Sequence, residues 1–239
     1  DFAETSHDFP ICVPVASHFP HAVGVAFALK RKGDAVAVAI AGDGATSKGD
    51  FYEAIKAAGL WQLPAVFVIN NNQWAISVPR GKQTAAQTLA QKAIAAGIEG
   101  VQVDGNDVVA VRQVVTEALA RARNGEGPSV IEAITYRLSD HTTADDASRY
   151  REDAEVSKHW RSEPVRRLKT FMEANLSWSS SQEEALRTEL TGQVEAAAQA
   201  YLDTPPAPAD SIFEHLFAQL PVALETQRAD IIDKGTRHA

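Results

Sequence analysis

Two short runs of apolar, β-prone residues constrain the fold most strongly. "AVAVAIA" (35–41) and "PAVFVIN" (64–70) are continuously apolar, which is typical of parallel strands that are covered on both faces. A segment with helical spacing, from about Asp50 to Trp61, separates them. A helix over 20–32 precedes them, and the alternation continues with predicted helices over 84–97 and 107–125 and strands over 100–105 and 128–136. This order predicts an α/β fold, a parallel sheet with flanking helices.

The sequence changes in character after about residue 150. The remaining segments are polar and amphipathic, which predicts helices over 151–176 and 181–203. The Pro-rich stretch "TPPAPADS" breaks this pattern, and a short final helix is predicted over 213–220. We therefore expect residues 1–150 to form the α/β core and residues 151–239 to form a helical C-terminal extension of the same domain, packed on that core.

Composition excludes several classes of function. The 239 residues are 45% hydrophobic, enough for one large domain, and 31 acidic against 23 basic residues argue against nucleic acid as a partner. No apolar run approaches the roughly 18 residues of a membrane span, so no membrane association is expected. The single cysteine, Cys12, allows no internal disulfide and favours a cytoplasmic location. Because the chain lacks both an initial Met and a signal peptide, we expect a fragment or a processed product.

Polar residues follow both apolar runs at the point where each strand should end. Asp43 stands between Gly42 and Gly44, and three asparagines occupy 70–72. A right-handed crossover places both carboxyl ends at one edge of the sheet, on strands roughly 5 Å apart. Carboxylate and amide oxygens suit Mg²⁺, and the following helix N-terminus suits a phosphate. The alternative, that Asp43 only caps that helix, is equally consistent with the local chemistry. "GDGATSKG" is not a Walker A motif, because no Gly-Lys-Ser/Thr follows the glycines.

Longer stretches carry a family resemblance. "GDGATSKGDFYEAIKAAGLWQLPAVFVINNNQWAIS", "VASHFPHAVGVAFALK", "KQTAAQTLAQKAIAAGIEGVQVDGNDVVAV" and "GEGPSVIEAITYRLSDHTTADDASRYR" occur in the order seen in one family. The chain resembles, over most of residues 13–205, the alpha subunit of the thiamine diphosphate-dependent first component of 2-oxo acid dehydrogenase complexes. The resemblance implies a thiamine diphosphate-binding fold, with thiamine diphosphate and Mg²⁺ as cofactors.

The resemblance assigns roles at the two strand ends. The side chains of Asp43 and Asn72 match the family's Mg²⁺ ligands, and Trp74 matches the residue whose main-chain carbonyl completes the protein's share of the coordination. Gly44 and Ala45 match main-chain contacts to the diphosphate. Gly42 belongs to the same cofactor-binding turn.

Other cofactor contacts are implied further along the chain. Val13 and Val15 fall where relatives hold the aminopyrimidine through main-chain groups, and Ile76 falls where an apolar side chain bends the cofactor. Asn70 departs from the family pattern, because some relatives carry Arg or Glu there. His18 lies in a stretch that binds a monovalent cation in some relatives.

The polar loop after the strand at 128–136 carries the implied catalytic residue. His141 matches the family's histidine that contacts the cofactor and orders the loop for reductive acylation of lipoamide. Thr142 occupies the position of a regulatory serine in animal relatives. The Asp145–Asp146 pair could suggest acid/base work. Two other roles are favoured over it: the pair fixes the loop through Arg149 or Arg151, or it meets an incoming lipoyl domain.

The implied reaction is oxidative decarboxylation of a 2-oxo acid with reductive acylation of the lipoyl group of the acyltransferase component. The carboxylate that activates the cofactor has no candidate in this chain, because Glu53, Glu99 and Glu132 all lie in unrelated helix or strand contexts. In the family that residue belongs to a beta subunit, so a heterotetramer of two alpha and two beta chains is expected. Full-length relatives also carry a further N-terminal segment that grips the diphosphate.

Three interpretations compete. "NNQWAISVP" and "KQTAAQTLAQKA" resemble alpha subunits of bacterial pyruvate dehydrogenase, whereas "HTTADDASRYR" is also close to branched-chain relatives. A catalytically silent scaffold chain would not need Asp43, Asn72 and His141 together. A generic Mg²⁺-dependent phosphate-binding enzyme would explain "GDG" but neither the asparagines nor the histidine loop. Pyruvate is therefore the expected substrate, with a branched-chain 2-oxo acid as the alternative.

Overall fold

The computed structural model describes residues 8–9, 11–33, 35–214 and 216–238. The chain divides into two compact units, Asp1–Ser177 and Trp178–Ala239. The predicted boundary near residue 150, and the packing of a C-terminal extension on the core, stay predictions.

The first unit contains a four-stranded parallel sheet. Its strands and a separate two-stranded ribbon are, in chain order, β1 (Ala37–Gly42), β2 (Ala65–Asn71), β3 (Trp74–Ala75), β4 (Val78–Pro79), β5 (Glu99–Asp104) and β6 (Ser129–Ile134). The sheet order is β1-β2-β6-β5, with every pair parallel, and β3 pairs with β4 in the antiparallel sense. The predicted α/β architecture is confirmed.

Helices cover both faces of this sheet. The helices of the first unit are α1 (His18–Lys32), α2 (Gly49–Leu60), α3 (Lys92–Ala96), α4 (Val108–Arg123), α5 (Asp153–His159) and α6 (Pro164–Asn175). On one face, Phe19 of α1 packs against Phe51 and Phe67, with ring centroids 5.4 and 5.7 Å away. On the other face, α4 covers Val66 and Ile131. Residues of the central strands β2 and β6 therefore enter two separate apolar cores, one on each face of the sheet.

Strand β1 differs from the prediction that both of its faces are covered. It is an edge strand, and Val38 and Ile40 are exposed while Ala37 and Ala39 are buried. The reason is that α4 packs over β2, β5 and β6 and does not extend over β1. The apolar composition was interpreted correctly as a strand but wrongly as a strand with two covered faces.

The helix predicted over 84–97 is mostly absent, because only α3 (Lys92–Ala96) forms. Polar side chains capture the main-chain N–H groups that a helix would use. Gln91 Oε1 accepts hydrogen bonds from the amides of Gln87 and Thr88, and Thr88 Oγ1 accepts one from the amide of Gln91. Such local side-chain bonds compete with helix formation. Gly97, in the left-handed region at φ 67°, ends α3.

The long helix predicted over 151–176 is divided into α5 and α6 by a 3-10 turn at Trp160–Ser162, followed by Pro164 at the start of α6. The second unit contains α7 (Ser180–Leu202), a 3-10 turn at Ala209–Phe213 and α8 (Val222–His238). The predicted helix over 213–220 is wrong within the described residues (His215 lies outside them), and α8 was not predicted. Across the described part of the chain, no helix has the length and apolar character needed to cross a membrane.

Candidate functional site

The two polar strand ends are neighbours, as predicted. Gly42, the last residue of β1, pairs with Asn70 of β2, and Asn71 is the last residue of β2. Asp43 therefore begins its turn directly beside the asparagines. This geometry follows from the short β1–α2–β2 crossover.

The carboxylate of Asp43 is buried, with only 1% of the residue exposed. Gln83 Nε2 donates to Asp43 Oδ2 at 2.6 Å, and Thr46 Oγ1 donates to the main-chain oxygen of Asp43 at 2.8 Å. Burial raises the pKa of Asp43 above its ordinary value, although the Gln83 hydrogen bond acts in the opposite direction. A buried carboxylate of this kind gains most from a bound cation. The alternative that Asp43 caps the following helix is wrong, because Lys48 occupies the N-cap of α2.

The segment that carries the other implied metal ligands turns back against Asp43. Asn72 Oδ1 accepts a hydrogen bond from the amide of Trp74 at 3.1 Å. A Cβ on Gly44 would lie 2.8 Å from the Cβ of Ala75, so the turn after β1 and strand β3 are in direct contact. Ile76 has φ 55°, a left-handed conformation that is strained for a β-branched residue and common at functional sites.

Arg137 joins this segment to the loop after β6. Its guanidinium donates to the main-chain oxygens of Trp74 at 3.3 Å and Ile76 at 2.9 Å, and to the Tyr150 hydroxyl at 2.7 Å. The sequence analysis did not identify Arg137, which lies four positions before His141. Its contacts tie the histidine loop to the residues beside Asp43.

His141 itself is exposed in this loop. Its amide donates to Asp145 Oδ2 at 2.8 Å, and the Tyr150 hydroxyl donates to the same oxygen at 2.5 Å. The Tyr150 hydrogen bond lowers the pKa of Asp145. Asp145 thus fixes the loop, as one of the two predicted roles required, but through Tyr150 and not through Arg149 or Arg151. Asp146 accepts from the amide of Ser148 and caps a short turn.

The N-terminal turn lies near the carboxyl end of β1. His18 Nε2 is 3.1 Å from the main-chain oxygen of Ile40, which places the start of α1 against that strand. Val13 and Val15 precede this helix, and their side chains are exposed by 87% and 58%. The main-chain role predicted for both valines is compatible with exposed side chains. Asn70 Oδ1 accepts from Thr135 Oγ1 at the adjacent end of β6.

Three polar residues near the site, Gln83, Arg137 and Lys92, were not identified in the sequence, and Glu132 was considered there only as a possible activating carboxylate. Gln83 and Arg137 lie in loops and contact the site only through the fold. Glu132 and Lys92 are both buried. A signal for Glu132 did exist, because a single carboxylate within the apolar strand "SVIEAI" must find several hydrogen-bond donors.

The donor set of the strand ends suits Mg²⁺. A buried carboxylate, an amide oxygen and a main-chain oxygen, from Asp43, Asn72 and Trp74, are all hard oxygen ligands. The described residues contain no group of three or more His, Cys, Asp or Glu side chains placed to hold a metal. A site with one carboxylate therefore leaves room in the coordination shell for phosphate oxygens and water.

A cavity of about 640 Å³ opens beside the ends of β2, β5 and β6. Its lining includes Asn71, Trp74, Glu132 and Arg167, but not Asp43, Asn72 or His141. This cavity therefore contains neither the implied metal ligand Asp43 nor the implied catalytic His141.

Comparisons with known proteins show which family the chain belongs to. A family model described as "Dehydrogenase E1 component" matches residues 3–209. The 3-methyl-2-oxobutanoate dehydrogenase subunit alpha of Mycobacterium tuberculosis (strain ATCC 25618 / H37Rv) is 44% identical over 223 residues, which are 93% of this chain and 61% of the relative. The pyruvate dehydrogenase E1 component subunit alpha of Staphylococcus aureus (strain COL) is 44% identical over 215 residues, which are 89% of this chain and 58% of the relative.

The chain thus spans about three-fifths of the length of these curated relatives. The family match extends from the N-terminal turn through the sheet, the histidine loop and α7. It includes both strand ends and every residue assigned to the candidate site. The chain belongs to the dehydrogenase E1 component family.

Proposed function

We propose that this chain is the alpha subunit of a thiamine diphosphate-dependent 2-oxo acid dehydrogenase and supplies the metal and diphosphate half of its active site. The observation that carries the proposal is the pairing of Gly42 with Asn70, which brings the buried Asp43 carboxylate beside the asparagine-rich end of β2. Membership of the dehydrogenase E1 component family supports the reaction class.

Each residue of the site has a proposed task. The side chains of Asp43 and Asn72 and the main-chain oxygen of Trp74 would hold Mg²⁺, which would offset the negative charge of the diphosphate. Main-chain groups of Gly44 and Ala45 bind diphosphate oxygens, and Gly42 permits the turn. The contact between Gly44 and Ala75, where a Cβ would lie 2.8 Å away, leaves no space for a side chain on the turn. Thiamine diphosphate bound there would supply the electron sink for decarboxylation of the 2-oxo acid.

The remaining residues orient the cofactor and the acyl acceptor. The main-chain groups of Val13 and Val15 would hold the aminopyrimidine. Ile76, whose backbone is strained and whose side chain is exposed, would support the cofactor. His141 contacts the cofactor from its loop, which Arg137 anchors to Trp74 and Ile76.

A beta subunit is the proposed partner. Several apolar side chains near the site are exposed in this chain, including Val13 at 87% and Ile76 at 55%. Surfaces of this kind commonly mark interfaces. The partner would cover them, exclude water and supply the carboxylate that activates the cofactor. The lipoyl acyltransferase component is the proposed acyl acceptor, as part of an assembly with two alpha and two beta chains.

Pyruvate is the proposed substrate, supported by the resemblance of "NNQWAISVP" and "KQTAAQTLAQKA" to bacterial pyruvate-using chains. A branched-chain 2-oxo acid is the second candidate, because the Mycobacterium tuberculosis relative named for 3-methyl-2-oxobutanoate is also 44% identical. A catalytically silent scaffold remains the candidate of another class.

The test is to assemble the chain with a candidate beta subunit and measure decarboxylation of pyruvate and of 3-methyl-2-oxobutanoate with thiamine diphosphate and Mg²⁺. The proposal expects turnover of pyruvate at the higher kcat/KM. A preference for 3-methyl-2-oxobutanoate would select the second candidate. An intact assembly that turned over neither substrate would support the scaffold and contradict the enzyme.

A further inference from the structure

Glu132 is a buried carboxylate for which the proposed mechanism gives no task. It lies in the central strand β6 and is only 1% exposed. Four donors converge on it. Asn71 Nδ2 donates to Oε1 at 2.6 Å, while the amides of Leu89 and Ala90 and Gln102 Nε2 donate to Oε2 at 2.8, 3.0 and 3.1 Å. Such a set of donors offsets the cost of burying the charge.

One side of Glu132 orients the end of β2. Because Asn71 Nδ2 points to Glu132, its Oδ1 faces the other way and accepts from the amide of Gln73 at 3.3 Å. Gln73 Nε2 in turn donates to the main-chain oxygen of Asn71 at 3.2 Å. The turn formed by these bonds encloses Asn72, whose Oδ1 is a proposed metal ligand.

The other side of Glu132 leads to the turn after β1. The amides of Leu89 and Ala90, both bonded to Glu132, immediately precede α3. Near the start of that helix, Lys92 Nζ donates to the main-chain oxygen of Thr46 at 2.6 Å and to Thr46 Oγ1 at 2.9 Å. Thr46 Oγ1 then donates to the main-chain oxygen of Asp43.

Lys92 is itself an unusual residue for the interior, with only 6% exposed. Burial lowers the pKa of its ammonium group. Its Nζ lies 5.1 Å from the ring centroid of Tyr52, at the start of α2. Because Lys92 is buried and donates to Thr46, in the turn that carries Asp43, it can fix the position of that turn relative to the sheet.

We propose that Glu132 and Lys92 are positioning residues that set the separation of the two metal-ligand turns. Glu132 accepts hydrogen bonds from the Asn71–Gln73 turn on one side and from the Leu89–Ala90 segment on the other. Lys92, just after that segment, donates to Thr46 and so fixes the turn of Asp43 relative to Glu132. Neither residue touches the metal. The inference rests on the proposed function, because it assigns a task to both residues only if Asp43 and Asn72 bind one ion.

The substitution Glu132→Gln tests the carboxylate. The glutamine side chain has only one oxygen. We expect that oxygen to stay with the amides of Leu89 and Ala90, because main-chain N–H groups can only donate. The glutamine NH₂ group then faces Asn71 Nδ2, which is also a donor. The half-saturating Mg²⁺ concentration for thiamine diphosphate binding, measured on the assembly with the beta subunit, should rise about 10- to 100-fold, as for other residues that orient metal ligands. Saturating Mg²⁺ should restore full cofactor binding.

A reciprocal change distinguishes orientation from stability. In the double variant Glu132→Gln with Asn71→Asp, the new amide donates to the new carboxylate, which still accepts from the amide of Gln73. The half-saturating Mg²⁺ concentration should return to within about threefold of the original value, because each hydrogen bond is again paired. Lys92→Met keeps the length of the side chain, removes both bonds to Thr46 and should raise the same concentration.

Val66→Ala is the matched control, since it opens a buried site at the opposite end of β2. It should lower the melting temperature and leave the half-saturating Mg²⁺ concentration unchanged. If Glu132→Gln and Lys92→Met behave like Val66→Ala, both residues are merely structural and the inference is wrong. If the Glu132→Gln chain does not assemble with the beta subunit, the half-saturating Mg²⁺ concentrations of Lys92→Met and of the double variant test the inference.

Failure of the proposed function gives a different result. In that case the unsubstituted assembly shows no Mg²⁺-dependent binding of thiamine diphosphate, or Asp43→Ala leaves that binding intact. A different result overturns the inference alone. In that case the unsubstituted assembly binds thiamine diphosphate with Mg²⁺ and the Asp43→Ala assembly does not, but Glu132→Gln and Lys92→Met have the same half-saturating Mg²⁺ concentration as the original chain.

Discussion

At the scale of single residues, Gly44 determines how closely the turn after β1 approaches the segment that carries Trp74. The ideal Cβ position on Gly44 lies 2.8 Å from the Cβ of Ala75, closer than two carbon atoms can pack. Asp43 and Trp74, each next to one of these small residues, are thereby brought together. Two small residues thus permit the close approach of the proposed metal ligands.

Gly44→Ala should therefore push the two segments apart. Overpacking of this kind costs about 1–3 kcal/mol of folding free energy, and we expect the affinity for Mg²⁺ and thiamine diphosphate to fall at least about tenfold. Calorimetric titration with thiamine diphosphate in the presence of Mg²⁺ measures the loss.

Two further variants act as controls. Ala75→Gly in the Gly44→Ala background removes the opposing Cβ and should recover most of the affinity. Gly24→Ala places a methyl group in open space on an exposed turn of α1, and it should stabilise the chain by roughly 0.5–1 kcal/mol without changing binding. Loss of affinity in Gly24→Ala, or no rescue by Ala75→Gly, would contradict this explanation.

Asp107 combines two roles that substitution can separate. Its Oδ1 accepts from the amides of Val109 and Ala110 at the N-terminus of α4, and its Oδ2 pairs with Arg167 Nη2 at 3.1 Å. Asp107→Ala should cost about 0.5–2 kcal/mol from the lost cap, whereas Asp107→Asn keeps the cap and should cost at most about 1 kcal/mol from the exposed ion pair. Chemical denaturation measures the free energy of unfolding of both variants. Equal losses in the two variants would show that the ion pair contributes more than the cap.

At the scale of elements, two arginines hold the histidine loop. Buried Arg151 donates to the main-chain oxygens of Arg137 and Ser139 within the loop, whereas Arg137 ties the loop to the segment beside Asp43. Arg137 donates to Trp74, Ile76 and Tyr150, and the Tyr150 hydroxyl orients Asp145 beneath the amide of His141. The loop is otherwise largely exposed, so its order depends on these hydrogen bonds more than on packing.

Arg137→Gln should release the loop while the sheet stays folded. We expect cleavage between Ser139 and Arg149 under limited proteolysis to become about tenfold faster or more, because the open state gains population when its anchor is lost. Arg112→Gln, on the exposed surface of α4, is the matched control and should leave the cleavage rate unchanged. Equal rates in both variants would mean that Arg137 does not order the loop.

The elements also show how far sequence reasoning extends. Strands β1 and β2 and helices α1, α2 and α4 were predictable, because continuous apolar runs and helical spacing report local structure directly. The segment 84–91 was not, since its amides bond to Gln91, Thr88 and the distant Glu132. The exposure of Val38 and Ile40 depends on where α4 packs, which the composition of β1 does not encode. Helix α8, immediately after Pro221, was also missed.

The candidate site shows the same division. The adjacency of Asp43 and the asparagines followed from strand order alone, and Asn72 was selected from the three asparagines by the resemblance. Gln83, which contacts the Asp43 carboxylate, comes from a loop 40 positions away in the sequence. No local pattern predicts such a contact.

At the scale of the whole molecule, we propose that this chain supplies only part of an active site. The proposed metal ligands lie on one sheet edge, and Val13, Val15 and Ile76 are exposed. Glu132, a buried carboxylate close to the site, is fully engaged by four donors and is not available to activate a cofactor. These features are consistent with the proposed beta subunit, which would complete the site and cover its apolar rim.

The central claim is that Asp43 and Asn72 bind one Mg²⁺ that holds the diphosphate. The most direct measurement is calorimetric titration of thiamine diphosphate into the assembly with the beta subunit, with and without Mg²⁺, for the original chain and for Asp43→Ala and Asn72→Ala. The account predicts tight binding that requires Mg²⁺ in the original chain and a loss of at least about 100-fold in each variant, the upper range for altered metal sites. Unchanged Mg²⁺-dependent binding in Asp43→Ala would contradict the account.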